Sequence, residues 1–370
     1  MAGVRSPRAA VDEPEPLVSV EGLVKHFPVR RGLGRAGRVH AVDGVDLRIR
    51  PGETLGVVGE SGCGKSTLAR CVAGLHPVTR GRVMFEGTDV TRLSKAGLKE
   101  FRRSVQMIFQ DPYGALNPRR RVGAAIGDPL AIHAVAHGAE RRRRVRELME
   151  LVGLNPEHYD RFPAEFSSGQ RQRIGVARAL ALRPRLIVCD EPVSSLDVSI
   201  QAQVINLLRD LQAEMGLTYL FIAHDLSVVR HVSDRVAVMY LGRIVETAPR
   251  RDLYERPRHP YSAALLSAAS VTAPEDPGRP GPAGPGRAEA DRARRGRASR
   301  RLLIGDVPSP VDPPRGCRFH PRCPRARERC AGEEPPPPLS DPQAPEHVTA
   351  CHFPLESPAE APGGRSEAPR

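Results

Sequence analysis

Residues 59–67 read GESGCGKST, which matches the phosphate-binding pattern G-x-x-x-x-G-K-[ST]. Small residues in such a loop let backbone N–H groups surround phosphate oxygens at the positive end of a helix. Lys65 is suited to reach β- and γ-phosphates, and the Ser66 hydroxyl is suited to ligate Mg²⁺. The spacing therefore predicts a nucleotide site formed by Gly59, Glu60, Ser61, Gly62, Cys63, Gly64, Lys65, Ser66 and Thr67.

A second chemical motif is the apolar run RLIVCDE, residues 185–191, which ends in two acidic side chains. An apolar run of this length predicts a buried strand, and α/β sheets place their sites at the carboxyl ends of such strands. Asp190 is then suited to hold the Mg²⁺ shell, and Glu191 to polarise an attacking water. Together with the phosphate loop, this motif predicts nucleotide hydrolysis.

The elements around these motifs predict an α/β fold. A short apolar strand at residues 54–59 leads into the phosphate loop, and a helical pattern follows it. Residues 17–27 and 39–50 also have strand patterns, with a basic, glycine-rich loop expected between them. Short apolar strands alternating with helices indicate a mostly parallel sheet covered on both faces, the fold class of P-loop NTPases.

Composition excludes several classes of protein. The 370 residues contain no apolar run long enough to span a bilayer, and the N-terminus lacks the apolar region of a secretory signal. Seven cysteines in this length do not make a disulfide scaffold, so we expect a cytosolic chain. The net charge of +13 suits nucleic acid, an anionic substrate or an anionic membrane surface equally well.

Changes in composition along the chain suggest its domain boundaries. We expect disordered tails at residues 1–16 and 356–370. Residues 271–301 are rich in Pro, Gly and Arg and predict a flexible linker. The main α/β domain then spans residues 17–270, and a small extension rich in Cys and Pro spans residues 302–355.

Further motifs resemble those of the ATP-binding subunits of ABC transporters. They are QMIFQDPYGALNP around Gln110, FSSGQRQR from Phe166, SSLD ending at Asp197, and FIAHD around His224. The resemblance implies a RecA-like core with a helical subdomain at about residues 112–172. It also implies that Gln110 touches Mg²⁺ and senses the membrane subunits, and that His224 contacts the γ-phosphate.

In this family the signature sequence acts on ATP held by a partner ATPase in a head-to-tail dimer. The matching residues here are Ser167, Ser168, Gly169 and Gln170, and Asp197 matches the D-loop. Ser168 stands where the family has Gly, so we expect an altered half-site and faster hydrolysis after Ser168→Gly. Phe27 lies where the family stacks an aromatic ring on adenine; a core aromatic role is the alternative, and His40 fits the adenine position less well.

Three segments narrow the resemblance to oligopeptide and dipeptide importers, in particular to the second of their two ATPases. They are DPYGALNPR after Gln110, RHPYSAALL from Arg258, and GDVPSPVDPPRGCRFHPRCP from Gly305. The resemblance implies a peripheral ATPase at the cytoplasmic face of the membrane. Its partners would be a second ATPase subunit, two permease subunits and, indirectly, an extracellular peptide-binding protein, with no nucleic acid.

Other functions remain open at this point. Nickel and other small-solute importers share the architecture, and the Ser168 substitution leaves room for a regulatory partner of low activity. ABC-type ATPases of DNA repair or translation would suit the positive charge. Those proteins usually carry long insertions or two cassettes, which this sequence lacks.

Four cysteines cluster near the C-terminus, at Cys317, Cys323, Cys330 and Cys351. Such clustering in a cytosolic chain is typical of a metal site. The family resemblance suggests a [4Fe–4S] cluster, whereas the thiolates alone suit Zn²⁺ equally, with His320 and His352 as substitute ligands. Four free cysteines in a loosely packed extension are the remaining alternative.

Overall fold

The computed structural model describes residues 15–31, 35–270, 305–337, 339–341 and 344–355. The tail predicted at residues 1–16 lies outside the described residues except for Glu15 and Pro16, and the tail at 356–370 lies outside them entirely. The linker predicted at 271–301 also lies outside them. Within the described part of the chain, no helix combines the length and the apolar character needed to cross a membrane.

A four-stranded antiparallel sheet forms one layer, in the order β2-β1-β4-β5. Its strands are β1 (Val18–Arg31), β2 (Arg35–Ile49), β4 (Arg80–Phe85) and β5 (Thr88–Asp89). The basic stretch after Phe27, expected to be a loop, instead continues the two strands, with Val29 opposite Gly37 and Arg31 opposite Arg35. Ladder hydrogen bonds extend the hairpin beyond the apolar pattern from which the strand ends were inferred.

The larger sheet has the strand order β11-β12-β10-β9-β3-β8-β7-β6. Its strands are β3 (Thr54–Val58), β6 (Val105–Ile108), β7 (Leu186–Asp190), β8 (Thr218–Ile222), β9 (Arg235–Tyr240), β10 (Arg243–Pro249), β11 (Leu339–Asp341) and β12 (Ala344–Thr349). Strands β6, β7, β8, β3 and β9 run parallel. Every residue of β3, β7 and β8 is buried, which explains their largely apolar sequences.

The helices connect these strands and cover the larger sheet. They are α1 (Lys65–Val72), α2 (Lys95–Ser104), α3 (Pro112–Ala115), α4 (Val122–Ile132), α5 (Gly138–Leu151), α6 (Ser168–Leu180), α7 (Val198–Met215), α8 (Leu226–Val232), α9 (Arg250–Glu255), α10 (Pro260–Ser270) and α11 (Glu328–Gly332). Helices α3, α4 and α5 lie between β6 and α6. An apolar cluster containing Ile126, Val145 and Ile174 packs this helical region together.

The C-terminal extension joins the larger sheet directly. Strand β12 pairs antiparallel with β10, with Glu246 opposite Thr349 and Thr247 opposite Val348. Beneath this pairing, His347 Nε2 lies 2.6 Å from Glu246 Oε1, and both side chains are buried. The extension therefore continues the sheet that carries the phosphate loop.

Candidate nucleotide site

Four neighbouring strands, β6, β7, β8 and β3, deliver the motifs to one edge of the larger sheet. Gly59 follows β3, Glu191 follows β7, and His224 comes shortly after β8. Gln110 stands two positions after the end of β6. Because the four strands are parallel, their carboxyl ends meet at this edge, where open α/β sheets bind ligands.

The phosphate loop needs glycine at two positions where its backbone meets other backbone atoms. A Cβ on Gly59 (φ 157°) would lie 2.1 Å from the Met239 carbonyl oxygen, and one on Gly64 (φ 109°) 1.9 Å from the Ala41 oxygen. Gly64 is also the N-cap of α1, so the loop N–H groups lie at the positive end of this helix.

Lys65 begins α1, and its side chain folds back over the loop. Its Nζ donates hydrogen bonds to the carbonyl oxygens of Gly59 at 2.7 Å and Glu60 at 3.0 Å, and the residue is only 4% exposed. The ammonium group is therefore held inside the curve of the loop. An ammonium group in this position can form charge-assisted hydrogen bonds with the oxygens of a bound phosphate.

Asp190 at the end of β7 is completely buried. Among the described residues, neither of its carboxylate oxygens accepts a hydrogen bond of good geometry. Burial raises the pKa of Asp190, while the nearby Ser66 hydroxyl and Arg70 guanidinium lower it in part. A buried carboxylate without a bonding partner, next to a serine hydroxyl, fits the oxygen ligands that Mg²⁺ prefers.

Gln110 and His224 both contact Glu191. Gln110 Nε2 donates to Glu191 Oε2 at 3.0 Å, and His224 Nδ1 lies 3.1 Å from the same oxygen. Glu191 has a left-handed backbone (φ 48°), which its N–H secures by donating to the Ile222 oxygen at 3.0 Å. Backbone strain of this kind is typical of functional positions. The other carboxylate oxygen, Oε1, has no bonding partner among the residues described and is available to a water molecule.

The signature residues lie at the beginning of α6. Ser167 is the N-cap: its hydroxyl accepts from the Gln170 N–H at 3.3 Å, and Gln170 Oε1 accepts from the Ser167 N–H at 3.0 Å. Ser168 is the first helical residue, where a side chain causes no backbone strain. Gly169, by contrast, has the Ile200 side chain 2.6 Å from the position of a Cβ. Close packing therefore demands glycine at 169 but not at 168.

Two other predicted residues, Asp197 and Phe27, lie outside the contacts described so far. Asp197 is the N-cap residue of α7, after a turn in which the Ser194 hydroxyl donates to the Glu191 oxygen at 3.1 Å. Phe27, on β1, is half-buried; its ring packs edge-on against His76 at 5.7 Å and lies 4.8 Å from Lys25 Nζ. Its role as an adenine platform stays a prediction.

Sequence reasoning missed two residues that contact the site. Arg70 Nη2 on α1 lies 3.8 Å from Asp190 Oδ2, and nothing in its helical sequence context distinguishes it. Tyr261 belongs to the HPY motif, which served only as a family marker, yet its hydroxyl accepts from the Glu60 N–H at 3.0 Å. The motif itself was the available signal for Tyr261, but its contact with the phosphate loop depends on the tertiary fold.

The four C-terminal cysteines line one small cavity, together with His320 and His352. Burial raises the pKa of the Cys317 and Cys323 thiols, and it raises that of Cys351 to about 11. Neighbouring thiols contribute to each of these increases. Among the described residues, the one set of three potential ligand atoms within 4.8 Å of one another is His26, His40 and Asp43, so no three of the cysteine sulfurs lie that close together.

Family models match two parts of the chain. The ABC transporter family matches residues 42–194, and the "Oligopeptide/dipeptide transporter, C-terminal region" family matches residues 245–296 and 290–330. The dimeric, ADP- and phosphate-bound structure of the ATP-binding cassette MJ0796 is 28% identical, with a TM-score of 0.57 over 63% of this chain and 99% of that one. The expected ABC ATPase fold is thereby confirmed.

Two curated relatives cover nearly the whole chain. The oligopeptide transport ATP-binding protein AppF of Bacillus subtilis is 48% identical over 92% of this chain and 98% of its own length. The di/tripeptide transport ATP-binding protein DppF of Pseudomonas aeruginosa is 46% identical over 91% and 98%. The chain belongs to the ATP-binding subunits of oligopeptide/dipeptide ABC transporters, the ATPases that hydrolyse ATP to drive peptide import.

Proposed function

We propose that this chain hydrolyses ATP at the edge where Lys65, Asp190, Glu191, Gln110 and His224 meet, as one of two ATPases of a peptide importer. The observation that carries the assignment is the shared contact of Gln110 and His224 with Glu191 Oε2. Lys65 and the loop N–H groups position the β- and γ-phosphates. The free oxygen of Glu191 then orients the attacking water in line with the γ-phosphate.

His224 and Gln110 have positioning and charge-stabilising roles in this proposal. Bonding of Nδ1 to Glu191 leaves Nε2 as the ring nitrogen that can reach the γ-phosphate. Ser66, Asp190 and Gln110 would hold Mg²⁺, which neutralises charge on the phosphate oxygens during transfer. Gln110 would lose its contact with Glu191 on turning toward the metal, so it links occupancy of the site to the water-orienting carboxylate.

The partner ATPase would complete a second site with the signature residues of this chain. Ser167, Ser168, Gly169 and Gln170 lie at the N-terminus of α6, a helix of 13 residues, and the positive end of a helix favours anions such as phosphate. Asp197, the D-loop residue, begins the neighbouring α7. A different ATPase as partner would make the two sites unequal, because Ser168 alters only the half-site built here.

A groove beside Gln110 is the proposed docking place for a permease subunit. The cavity has a volume of about 700 Å³ and is lined by Phe109 and Gln110, by the basic residues Arg70 and Arg102, and by Ile132, whose side chain is 67% exposed. Apolar side chains flanked by arginines suit a short amphipathic segment of the permease with acidic residues at its rim. Contact with Gln110 would pass domain motion to the nucleotide site.

The docking proposal is tested by Ile132→Glu in the reconstituted transporter. We expect the variant to lose co-purification with both permease subunits but to keep its affinity for MgATP. Val307→Glu, at a side chain that is also exposed but lies in the extension, serves as the matched control. Retained assembly of the Ile132 variant would contradict the groove assignment.

The cysteine site is proposed to hold a [4Fe–4S] cluster, with Zn²⁺ as the alternative. The observation that supports a shared metal site is that all four cysteines line one small cavity. Four thiolates suit either group, and the family resemblance favours the cluster. Cys330→Ser should remove absorbance near 400 nm after anaerobic purification, whereas Cys71→Ser should not. Zinc without iron in the wild-type chain would overturn the cluster assignment.

The domain boundaries proposed for this chain follow its sequence. They are tails at 1–16 and 356–370, an ABC ATPase domain at 17–270 with its helical part at about 112–172, a linker at 271–301, and the C-terminal region at 302–355. Placement at the cytoplasmic face of the membrane follows from the proposed permease contact. Limited proteolysis of the assembled transporter should cut first within 271–301.

Peptide import is tested with the chain reconstituted alongside a second ATPase, two permeases and a peptide-binding protein in proteoliposomes. We expect ATP turnover to rise when a di- or oligopeptide is supplied with the binding protein. The Lys65→Ala variant, which removes the phosphate-binding ammonium, should show no such rise. Stimulation by Ni²⁺ in place of peptides would contradict the peptide assignment.

A further inference from the structure

The C-terminal extension reaches into the phosphate loop at Glu60. Arg322 Nη1 donates to Glu60 Oε2 at 2.7 Å, and Arg322 Nη2 donates to Glu60 Oε1 at 3.0 Å. This paired arrangement is the strongest geometry for an arginine and a carboxylate. The Arg322 side chain is only 5% exposed, so solvent screens the pair little.

The phosphate loop is held at the same residue by a second group. The backbone N–H of Glu60 donates to the Tyr261 hydroxyl. Tyr261 packs against Tyr240 and Phe319, with ring centroids 4.7 Å and 5.3 Å away, and Phe319 belongs to the extension. One buried aromatic cluster therefore links the extension to the loop.

The position of Tyr261 is itself fixed by buried polar contacts. The Tyr261 N–H donates to His259 Nδ1 at 3.1 Å, and the His259 N–H donates to Glu246 Oε2 at 2.9 Å. Burial lowers the pKa of His259 to about 4, so its ring is neutral and Nδ1 accepts a hydrogen bond at neutral pH. The HPY motif thus has a physical role in anchoring the tyrosine beneath the phosphate loop.

The negative charge of Glu60 means that its ion pair with Arg322 affects nucleotide binding. Glu60 is adjacent to the loop N–H groups, and Lys65 Nζ donates to its carbonyl oxygen. An unpaired carboxylate here would repel the triphosphate and compete for Lys65. Arg322 neutralises this carboxylate and binds both of its oxygens.

We propose that Arg322 is a positioning residue for the phosphate loop, through which the C-terminal extension sets the affinity for MgATP by holding the Glu60 carboxylate away from the phosphates. Arg322 touches no phosphate in this account; it acts through Glu60. The proposal rests on the nucleotide site proposed above. Equal MgATP affinities for wild type and Lys65→Ala would refute the proposed nucleotide site. The comparison of Arg322 variants below tests the role of Arg322 alone.

The test measures equilibrium binding of MgATP to the full chain by fluorescence titration, without turnover. We expect Arg322→Gln to raise Kd about tenfold, equivalent to about 1.4 kcal/mol. Arg322→Lys, which keeps the charge but loses the paired geometry, should raise it less. Arg329→Gln is the matched control, because Arg329 forms an exposed pair with Glu333 in the same extension.

The decisive comparison uses the Glu60→Gln background. If Arg322 acts through the carboxylate, adding Arg322→Gln to Glu60→Gln should leave Kd within twofold of the Glu60→Gln variant. A merely structural role would weaken binding by the same factor in both backgrounds, and that result would overturn the proposal. Melting temperature and metal content, measured for each variant, separate a change in affinity from loss of fold or of the cysteine site. If Arg322→Gln does not fold, Arg322→Lys in both backgrounds provides the same comparison.

Discussion

Asp190→Asn should stabilise the chain in metal-free solution, although it removes a proposed Mg²⁺ ligand. The wild-type carboxylate is completely buried, and the Ser66 hydroxyl and the Arg70 guanidinium offset the cost of burying its charge only in part. A buried polar group that is not fully satisfied costs about 1–3 kcal/mol, and the cost is larger for a charged group than for a neutral amide. Removing the charge should therefore raise the free energy of unfolding at pH 7.5 by about 1–3 kcal/mol, or raise Tm by about 2–5 °C in a protein of this size.

The pH dependence of this effect has a defined sign. Burial raises the folded-state pKa of Asp190 above its unfolded value, so the folded protein takes up this proton first as pH falls. The destabilisation of the wild type is present above the folded pKa and is relieved below it. The difference in Tm between Asp190→Asn and wild type should therefore shrink as pH falls from 7.5 through the raised pKa.

Thermal unfolding in EDTA, followed by calorimetry, measures both effects. Asp210→Asn makes the same substitution at an exposed position of α7 and should change Tm by less than a degree or so. MgATP should then stabilise wild type more than Asp190→Asn. A Tm for Asp190→Asn below that of wild type in EDTA at pH 7.5 would show that the buried charge does not destabilise the chain. A difference in Tm between the two proteins that does not change with pH would show the same.

Three further predictions concern single positions. Ser168→Gly should raise ATP hydrolysis by the assembled transporter, and identical rates for the two complexes would reject a weakened half-site. Phe27→Ala should raise Kd for ATP about tenfold but leave binding of inorganic tripolyphosphate unchanged, with Phe27→Tyr close to wild type; equal losses for both ligands would exclude adenine stacking. Gly64→Ala should abolish nucleotide binding because its Cβ meets the Ala41 oxygen at 1.9 Å, whereas Gly175→Ala, with nothing within 4 Å, should be tolerated; binding by the Gly64 variant would show that the loop rearranges.

Local sequence patterns predicted the elements that carry the nucleotide site. The apolar run before Gly59 lies in β3, and the run before Glu191 lies in β7. Parallel strands bring Gln110, Glu191 and His224 to one edge of this sheet. Glu191 was accessible to reasoning from the residues because it directly follows an apolar strand, whereas Gln110 and His224 were identified only by resemblance to the ABC transporter family.

Contacts between distant parts of the chain were not accessible in the same way. Arg322 and Glu60 are 262 positions apart in the sequence, and the residues around each give no indication that the two side chains pair. The pairing of β12 with β10 likewise joins the extension to the larger sheet through backbone hydrogen bonds. Such bonds do not depend on particular side chains, so the sequence does not indicate which strands pair. The length of the β1–β2 hairpin was underestimated for a related reason. The basic ends of its two strands are paired by backbone hydrogen bonds and lack the apolar pattern from which strands are predicted.

In the proposed mechanism, Glu191 orients the attacking water at this site. The most direct measurement is ATP hydrolysis by the assembled transporter carrying Glu191→Gln, together with size-exclusion analysis of its ATPase subunits in MgATP. We expect turnover at this site to be lost and ATP-locked dimers to accumulate, while Glu214→Gln, at an exposed position of α7, should behave as wild type. Unchanged turnover in the Glu191→Gln transporter would contradict the catalytic assignment.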